Sequence, residues 1–299
     1  MDEAGLIAVP GWLAAILRGA TPLLFVTLGE TLSQRVGIIN LGVEGEMLAG
    51  ACFGFAAAAT TGDPVLGLLA GGLAGLILSA VHAGLTIGAG ANQIGSGLAV
   101  WMLGLGITSY FGREFVGGNV SSLPTLGAGP LLGNLSWAAP SAVALTLLVG
   151  FALYRTRTGL NWRTIGEVPD AARAAGLNVP LTQTLGVLTG GLLAGIGGAV
   201  LSVDYTQSWA QEITKGRGLV AVGLVIVARW NPYLVLPVAL TFGAAEAAVL
   251  RLQAGGIEIS SYLLACLPYV AALVVVVAAY GLGRRGGGMP SALRNVFQL

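Results

Sequence analysis

Charge is the scarcest commodity in this sequence. Only 9% of its 299 residues are Asp, Glu, Lys or Arg, against about 25% in ordinary soluble domains. So little charge cannot cover a protein surface in water, which excludes a soluble globular domain. Lysine occurs once, as Lys215 in Thr214-Lys-Gly-Arg217. A phosphate-binding loop needs G-x-x-x-x-G-K-[ST], so that backbone amides and a lysine can hold nucleotide phosphates. Lys215 does not fit that pattern, so the chain cannot hydrolyse nucleotide by that route. Histidine also occurs once. His82 lies in an apolar stretch with no cysteine or carboxylate nearby in sequence, and reads as a hydrogen-bonded structural residue. Two cysteines, Cys52 and Cys266, both sit in apolar runs. They read as small core residues, not as a disulfide or a metal pair. There is no G-x-S-x-G, no H-E-x-x-H and no paired-cysteine motif. No catalytic constellation, metal or cofactor is therefore expected. A net charge of +1 without a basic patch gives no reason to expect nucleic acid. Asp2 and Glu3 stand where a cleavable signal would carry its basic residues, so none is expected.

What is present is apolar: 55% hydrophobic residues, 48 glycines and a mean hydropathy of +0.84. The expectation is an all-α, polytopic helical membrane protein, a single transmembrane domain over residues 1–299. A transmembrane barrel would show weakly alternating segments of about ten residues instead. Glycine and alanine suit helix packing in lipid, because small residues let backbones approach. Spans need about 20 apolar residues, somewhat fewer when broken. About nine stretches qualify: 12–32, 44–60, 64–89, 94–112, 137–155, 183–203, 217–230, 233–250 and 261–281. The long loop at 113–136, rich in Gly, Ser, Pro and Asn, can hold no core of its own.

One long polar interruption, the loop 155–181, carries Arg155, Arg157, Arg163 and Arg173. Positive charge near span ends resists translocation, which places this loop in the cytoplasm. Alternating from there gives an external N-terminus and an internal C-terminus, with nine basic residues inside and five at or beyond the outer interface. Within the loop Pro169 can open a short helix, since its missing N–H is not needed in a first turn. Gly176 can close it in a left-handed conformation. The product is a stub, Pro169–Ala175, with a small-residue surface shaped to sit in a groove of something else. A faint repeat is also visible: residues 67–81 resemble 186–200, and Gly97-Leu98 matches Gly218-Leu219, at offsets of 119 and 121. The topology runs the two copies in opposite directions, as in transporters built from inverted repeats. Compositional likeness among Gly/Ala/Leu-rich spans is the competing explanation.

Lacking a nucleotide site, a pump would draw on an ion gradient or on a separate ATPase. Glu30 and Glu246 are the carboxylates at membrane depth that an ion gradient would use, with Glu44 and Glu46 beside them. Glu30, Glu44 and Glu46 flank a short expected cytoplasmic turn at Arg35, where a solvated or paired role serves equally well. Arg229-Trp-Asn-Pro232 reads as an interfacial anchor between spans.

Four blocks carry a resemblance: residues 28–50 (LGETLSQRVGIINLGVEGEMLAG), 91–106 (ANQIGSGLAVWMLGLG), 166–179 (GEVPDAARAAGLNV) and 215–232 (KGRGLVAVGLVIVARWNP). Together, in this order, they resemble the permease subunit of ABC importers of the sugar, nucleoside and branched-chain amino acid superfamily, nearest the nucleoside-type branch. The resemblance implies a bacterial inner-membrane subunit with no enzyme activity of its own. It further implies an ATPase with two fused nucleotide-binding halves, a second related permease forming a heterodimer, and an extracytoplasmic substrate-binding lipoprotein. The stub helix would then be the coupling helix, using Glu167, Pro169, Asp170, Ala171, Arg173, Ala174 and Gly176. Gly216-Arg-Gly218 would be an external turn facing the binding protein or the path, with a structural cap as the alternative. Nucleobases and sugars ask for amide or carboxyl hydrogen bonds and an aromatic face. Those near the path would be Asn40, Glu44, Asn92, Gln93 and Ser96, with Trp101 for stacking. Monosaccharides or branched-chain amino acids are the alternative cargoes, and a stand-alone ion-coupled transporter is the alternative mechanism.

Overall fold

The computed structural model describes residues 4–127, 135–254, 263–264, 266–281 and 288–297. Every regular element among them is helical: α1 (Ala4–Arg35), α2 (Val43–Thr61), α3 (Pro64–Ala83), α4 (Gln93–Phe111), α5 (Ala138–Arg155), α6 (Arg157–Glu167), α7 (Pro169–Ala174), α8 (Val179–Ala199), α9 (Arg217–Val227), α10 (Pro232–Ala254), α11 (Leu267–Gly281) and α12 (Ser291–Phe297). Single π turns, Gly84–Gly88 and Val200–Tyr205, extend α3 and α8. Among the described residues six helices are long and apolar enough to cross a membrane: Gly11–Arg35, Pro64–Gly88, Gln93–Phe115, Ala138–Arg155, Val179–Tyr205 and Pro232–Gln253.

Six of the nine expected spans are thus matched among the described residues. The stretch 44–60 is helical, but Glu44 and Glu46 reduce its apolarity. The stretch 217–230 holds only the 11-residue α9. The stretch 261–281 is described chiefly as the 15-residue α11, and part of it lies outside the described residues. Residues 113–127 lie back against the domain, with Leu123 buried and single bridges Asn119–Ser208 and Thr125–Ser136; part of that loop is also outside the described residues.

The bundle is built around α8, and glycine makes that possible. Lipid supplies no hydrophobic drive between helices, so association depends on close van der Waals packing. Gly71, Gly75 and Ser79 line one edge of α3 at intervals of four, facing Gly191, Gly195 and Ala199 on α8. A Cβ at Gly75 would collide with the Gly191 carbonyl, and one at Gly195 with the Gly71 carbonyl. Because Gly71 meets Gly195 while Gly75 meets Gly191, the two helices run antiparallel. Gly190 meets Gly29 of α1, and Gly198 meets the Met47 carbonyl of α2. Three neighbours thus approach one helix at backbone distance. Cys52 is buried as expected, whereas Cys266 is exposed. Threonines buried in α1 satisfy their hydroxyls locally: Thr27 and Thr31 donate to the carbonyls of Leu23 and Thr27 at 2.7 Å.

Candidate functional site

Two irregular segments interrupt the bundle, and they meet at the first turn of α2. The first is 36–42, between α1 and α2. It is buried almost throughout, so its backbone polar groups cannot turn to water and must be met from within the protein. Some are met by backbone, as where the Gly37 amide donates to the Gln34 carbonyl at 3.0 Å, and seven by side chains. Gln183 donates to the Val36 carbonyl (3.2 Å) and Ser33 to that of Ile38 (3.0 Å). Gln93 accepts from the Ile39 amide at 2.9 Å and donates to the Gly37 carbonyl at 3.5 Å. His82 Nε2 lies 3.2 Å from the Ile39 carbonyl. A carbonyl only accepts, so this nitrogen carries the proton and His82 has the structural role expected of it. Glu30 accepts from the Asn40 amide at 3.1 Å and from Gln34 at 2.7 Å. The Asn40 side chain donates to Glu46 (2.7 Å) and accepts from the Gly42 amide (2.9 Å).

The second segment, 206–216, joins α8 to α9. Gln207, Glu212 and Lys215 hold positive φ there, a strained arrangement for residues with side chains. At its far end Trp209 is buried against Gly112; at its near end the chain wraps the Glu44 carboxylate. Glu44 Oε1 accepts from Thr214 Oγ1 at 2.6 Å and the Gly216 amide at 2.9 Å; Oε2 accepts from the Gly218 amide at 2.6 Å and the Leu219 amide at 3.3 Å. The orphan N–H groups of α9, and the positive end of its dipole, are thus met by a buried anion. Gly218 lies so close to Glu44 Cα that a Cβ would stand 2.6 Å from it. At about 1.5 Å per residue α9 is about 16 Å long, roughly half a bilayer core of about 30 Å. It is a half-span that begins inside the protein. Arg217, at its start, pairs with Glu246 of α10 at 2.5 Å, both side chains mostly buried.

These positions put the carboxylates in the paired role, show a cap at Gly216 and overturn one expectation. Glu30, Glu44 and Glu46 take the paired role, because the turn they flank is itself buried. Gly216-Arg-Gly218 is the capped start of α9, the structural alternative weighed above. Trp230 does not face headgroups: it is buried, donating from Nε1 to Gln34 at 2.5 Å while its carbonyl accepts from Arg35 Nε at 2.6 Å. In each case an irregular backbone segment nearby engages the residue. Glu44→Gln should cost about 2 kcal/mol, since the amide keeps one acceptor and turns an N–H₂ toward backbone donors. Thermal unfolding in detergent should register the loss, and an unchanged midpoint would disprove the capping role.

Broken helices that meet inside a glycine-packed bundle are the architecture of a membrane transporter. Comparison with known families gives that architecture its place. Residues 12–280 match the model of the family described as branched-chain amino acid transport system / permease component. The chain belongs to this permease family. It is 32% identical to the nucleoside ABC transporter permease protein NupC of Lactococcus lactis, covering 90% of this chain and 92% of that one. Identity to the guanosine ABC transporter permease protein NupQ of Bacillus subtilis is also 32%, covering 78% and 79%. A Haloferax volcanii protein provisionally named glucose ABC transporter permease protein TsgC13 is 40% identical over 81% of this chain and 78% of its own length. No solved structure matches.

In this permease the sequence-selected residues fall into two separate groups. Asn40 and Glu44 are buried and Gln93 is partly buried, all three holding backbone of the breaks. Asn92, exposed, caps α4 through the Gly95 amide at 2.9 Å. Ser96 is buried and Trp101 is partly exposed on the same helix. Gln34, Gln183 and Thr214 join the network although the sequence reading gives them no role, and Trp230 joins it in a role other than the anchor expected of it. Their signal was available: uncharged polar side chains beside glycine-rich breaks in apolar sequence.

The second group is α7, at the end of the bundle where Arg35 and Arg155 also lie. It spans Pro169–Ala174, one residue shorter than expected, and Gly176 follows at φ +82°. Ala172 is fully buried with Ile165 and Val179, pinning the stub. Asp170, Ala171, Arg173 and Ala174 are exposed, and Asp170 pairs with Arg173 at 2.9 Å. Glu167, just before the stub, accepts from the Ser291 amide (3.2 Å) and hydroxyl (2.8 Å), tying α12 to the start of α7.

Proposed function

We propose that this permease is the membrane subunit of an ATP-driven importer of nucleosides in the bacterial cytoplasmic membrane. The observation that carries this reading is the family match across residues 12–280, joined by two relatives named for nucleoside and guanosine transport. The other components would be an ATPase with two nucleotide-binding halves, a second, related permease as heterodimer partner, and an extracytoplasmic binding lipoprotein. The relative named for glucose favours a second reading, in which the cargo is a monosaccharide. Both cargoes carry a hydroxyl-bearing sugar ring, so one weakly selective path could serve either.

In this reading α7 is the coupling helix and the 155–181 loop is cytoplasmic. Its exposed face of Asp170, Ala171, Arg173 and Ala174 would enter a groove of the ATPase, with Pro169 and Gly176 fixing its ends and Glu167 its base. ATP-driven closure of the partner would carry α7 and α6 as a rigid body. The motion would reach the break at 36–42 through Gly166, which abuts the Arg35 carbonyl. Asn92, Ser96 and Trp101 would face the path at the head of α4, while Asn40, Glu44 and Gln93 hold the breaks in register beside it. The antiparallel α3 and α8, each ending in a π turn, would be matching parts of an inverted repeat. A ligand shifts such an equilibrium only by its differential affinity for the two states. Uptake of labelled guanosine by cells with and without this chain tests the cargo. Loss of uptake on deletion, with unlabelled nucleoside competing and glucose not, is the expected result. Competition by glucose alone would move the assignment to sugars.

A further inference from the structure

We propose that α12 is a strut carrying movement of the 155–181 loop to the buried break at 36–42, with Ser291 as its positioning residue. The inference rests on the reading of α7 as the helix grasped by an ATPase. Three pieces of chain converge at the α7 end of the bundle: Gly37 in the break, Gly166 near the end of α6, and residues 290–292 at the start of α12. A Cβ at Gly37 would stand 2.9 Å from the Ala292 methyl and 3.6 Å from Gly166 Cα. One at Gly166 would collide with the Arg35 carbonyl and lie 3.4 Å from Pro290 Cβ. Glycine at both positions lets the break, the loop and α12 touch without a side chain between them.

α12 cannot stand by itself. It has seven residues, and isolated helices shorter than about 12 residues are marginal in water. Two attachments hold it against α6. At its start the Glu167 carboxylate accepts from the Ser291 amide (3.2 Å) and hydroxyl (2.8 Å), a cap supplied from the loop to an otherwise orphan N–H. Two residues on, Leu293 is fully buried in the main core. Pro290, just before the helix, is buried too and has no N–H to satisfy.

The two attachments differ in kind, and that difference makes a lever. Glu167 stands two residues before Pro169, so a displacement of α7 moves it, and Ser291 follows through its hydrogen bonds. Leu293 stays, set in apolar packing. Ala292, between them, then presses on Gly37 or draws away from it. Gly37 sits at φ +87°, where glycine alone moves at little cost. Its carbonyl accepts from Gln93 of α4 at 3.5 Å, and Gln93 also accepts from the Ile39 amide at 2.9 Å. A shift at Gly37 therefore arrives at the head of α4, beside Asn92 and Ser96. Energetic coupling travels along such chains of packed groups and hydrogen bonds.

Hydrogen exchange on the purified full-length chain tests the strut without any partner. Ser291→Ala removes one hydroxyl, and the amides of 36–42 should then exchange about fivefold faster, the size of one hydrogen bond. Amides of α3 should keep their rates, and Ser291→Thr, which retains a hydroxyl, should return 36–42 to the parent rate. In the complete assembly Ser291→Ala should hydrolyse ATP at the parent rate but move less solute per ATP, again with recovery in Ser291→Thr. A merely structural role would lower hydrolysis and uptake together. Glu167→Gln weakens the same link from the other side and serves should Ser291→Ala fail to fold. Unchanged exchange at 36–42, or faster exchange with normal uptake per ATP, would overturn the strut alone. A parent assembly that shows no ATP-driven uptake would overturn the reading of α7, and the strut with it.

Discussion

Ala171→Trp should abolish ATP-driven uptake while the protein still inserts and unfolds at its usual temperature. Ala171 is exposed on a helix of six residues whose anchor, Ala172, points the other way into a small apolar cluster. An indole at position 171 therefore points away from the small apolar cluster that pins the stub. It would meet whatever holds α7, and overfilling a fitted interface costs about 1–3 kcal/mol or more. Ala174→Glu should act likewise by placing a charge in the same contact. Ala171→Ser should be tolerated. ATPase activity measured alongside uptake separates the outcomes: hydrolysis that persists without transport marks a broken joint. Normal uptake in Ala171→Trp would remove α7 from the docking surface.

Gly195→Leu should prevent the bundle from assembling. The site has no room even for a methyl, since a Cβ there would collide with the Gly71 carbonyl and stand 3.0 Å from Gly75 Cα and N. These are backbone atoms of another helix and cannot rotate aside, so α3 and α8 would have to separate along their whole contact. A cost above about 3 kcal/mol follows from overpacking alone. Lost interhelical dispersion adds to it, because lipid offers no hydrophobic compensation. Gly106→Leu is the control, with nothing within 4 Å of its Cβ position. Monodisperse protein recovered in detergent should fall to background for Gly195→Leu and stay normal for Gly106→Leu. Equal recovery would show that helix contact through glycine is not what holds the domain.

The legible part of this protein was whatever follows from local rules. Low charge gave a helical membrane protein, and Pro169 and Gly176 gave a stub helix within one residue of its observed limits. What was hidden depends on distant partners. Glu44 and Gly218 are 174 residues apart in sequence, and nothing local to Glu44 says that its carboxylate caps a half-span there. Trp230 carries the marks of an interfacial anchor, aromatic beside arginine and proline, yet Gln34 draws its indole inward. Counting spans misses the nature of 217–230 for the same reason. It treats each apolar run as one crossing, whereas α9 is a half-length helix whose polar start is satisfied inside the protein. Glu246, a candidate for ion coupling on sequence grounds, is paired with Arg217, and Glu30 is occupied by Gln34 and the Asn40 amide.

The central claim is that this chain moves solute only when a separate motor drives it. The direct measurement is uptake of a labelled nucleoside into liposomes containing the purified chain, first alone under imposed proton and sodium gradients, then with the proposed second permease, ATPase and binding protein. The account predicts no gradient-driven uptake by the chain alone, and uptake strictly dependent on ATP in the complete assembly. Gradient-driven uptake by the isolated chain, lost in Glu246→Gln or Glu30→Gln, would contradict it.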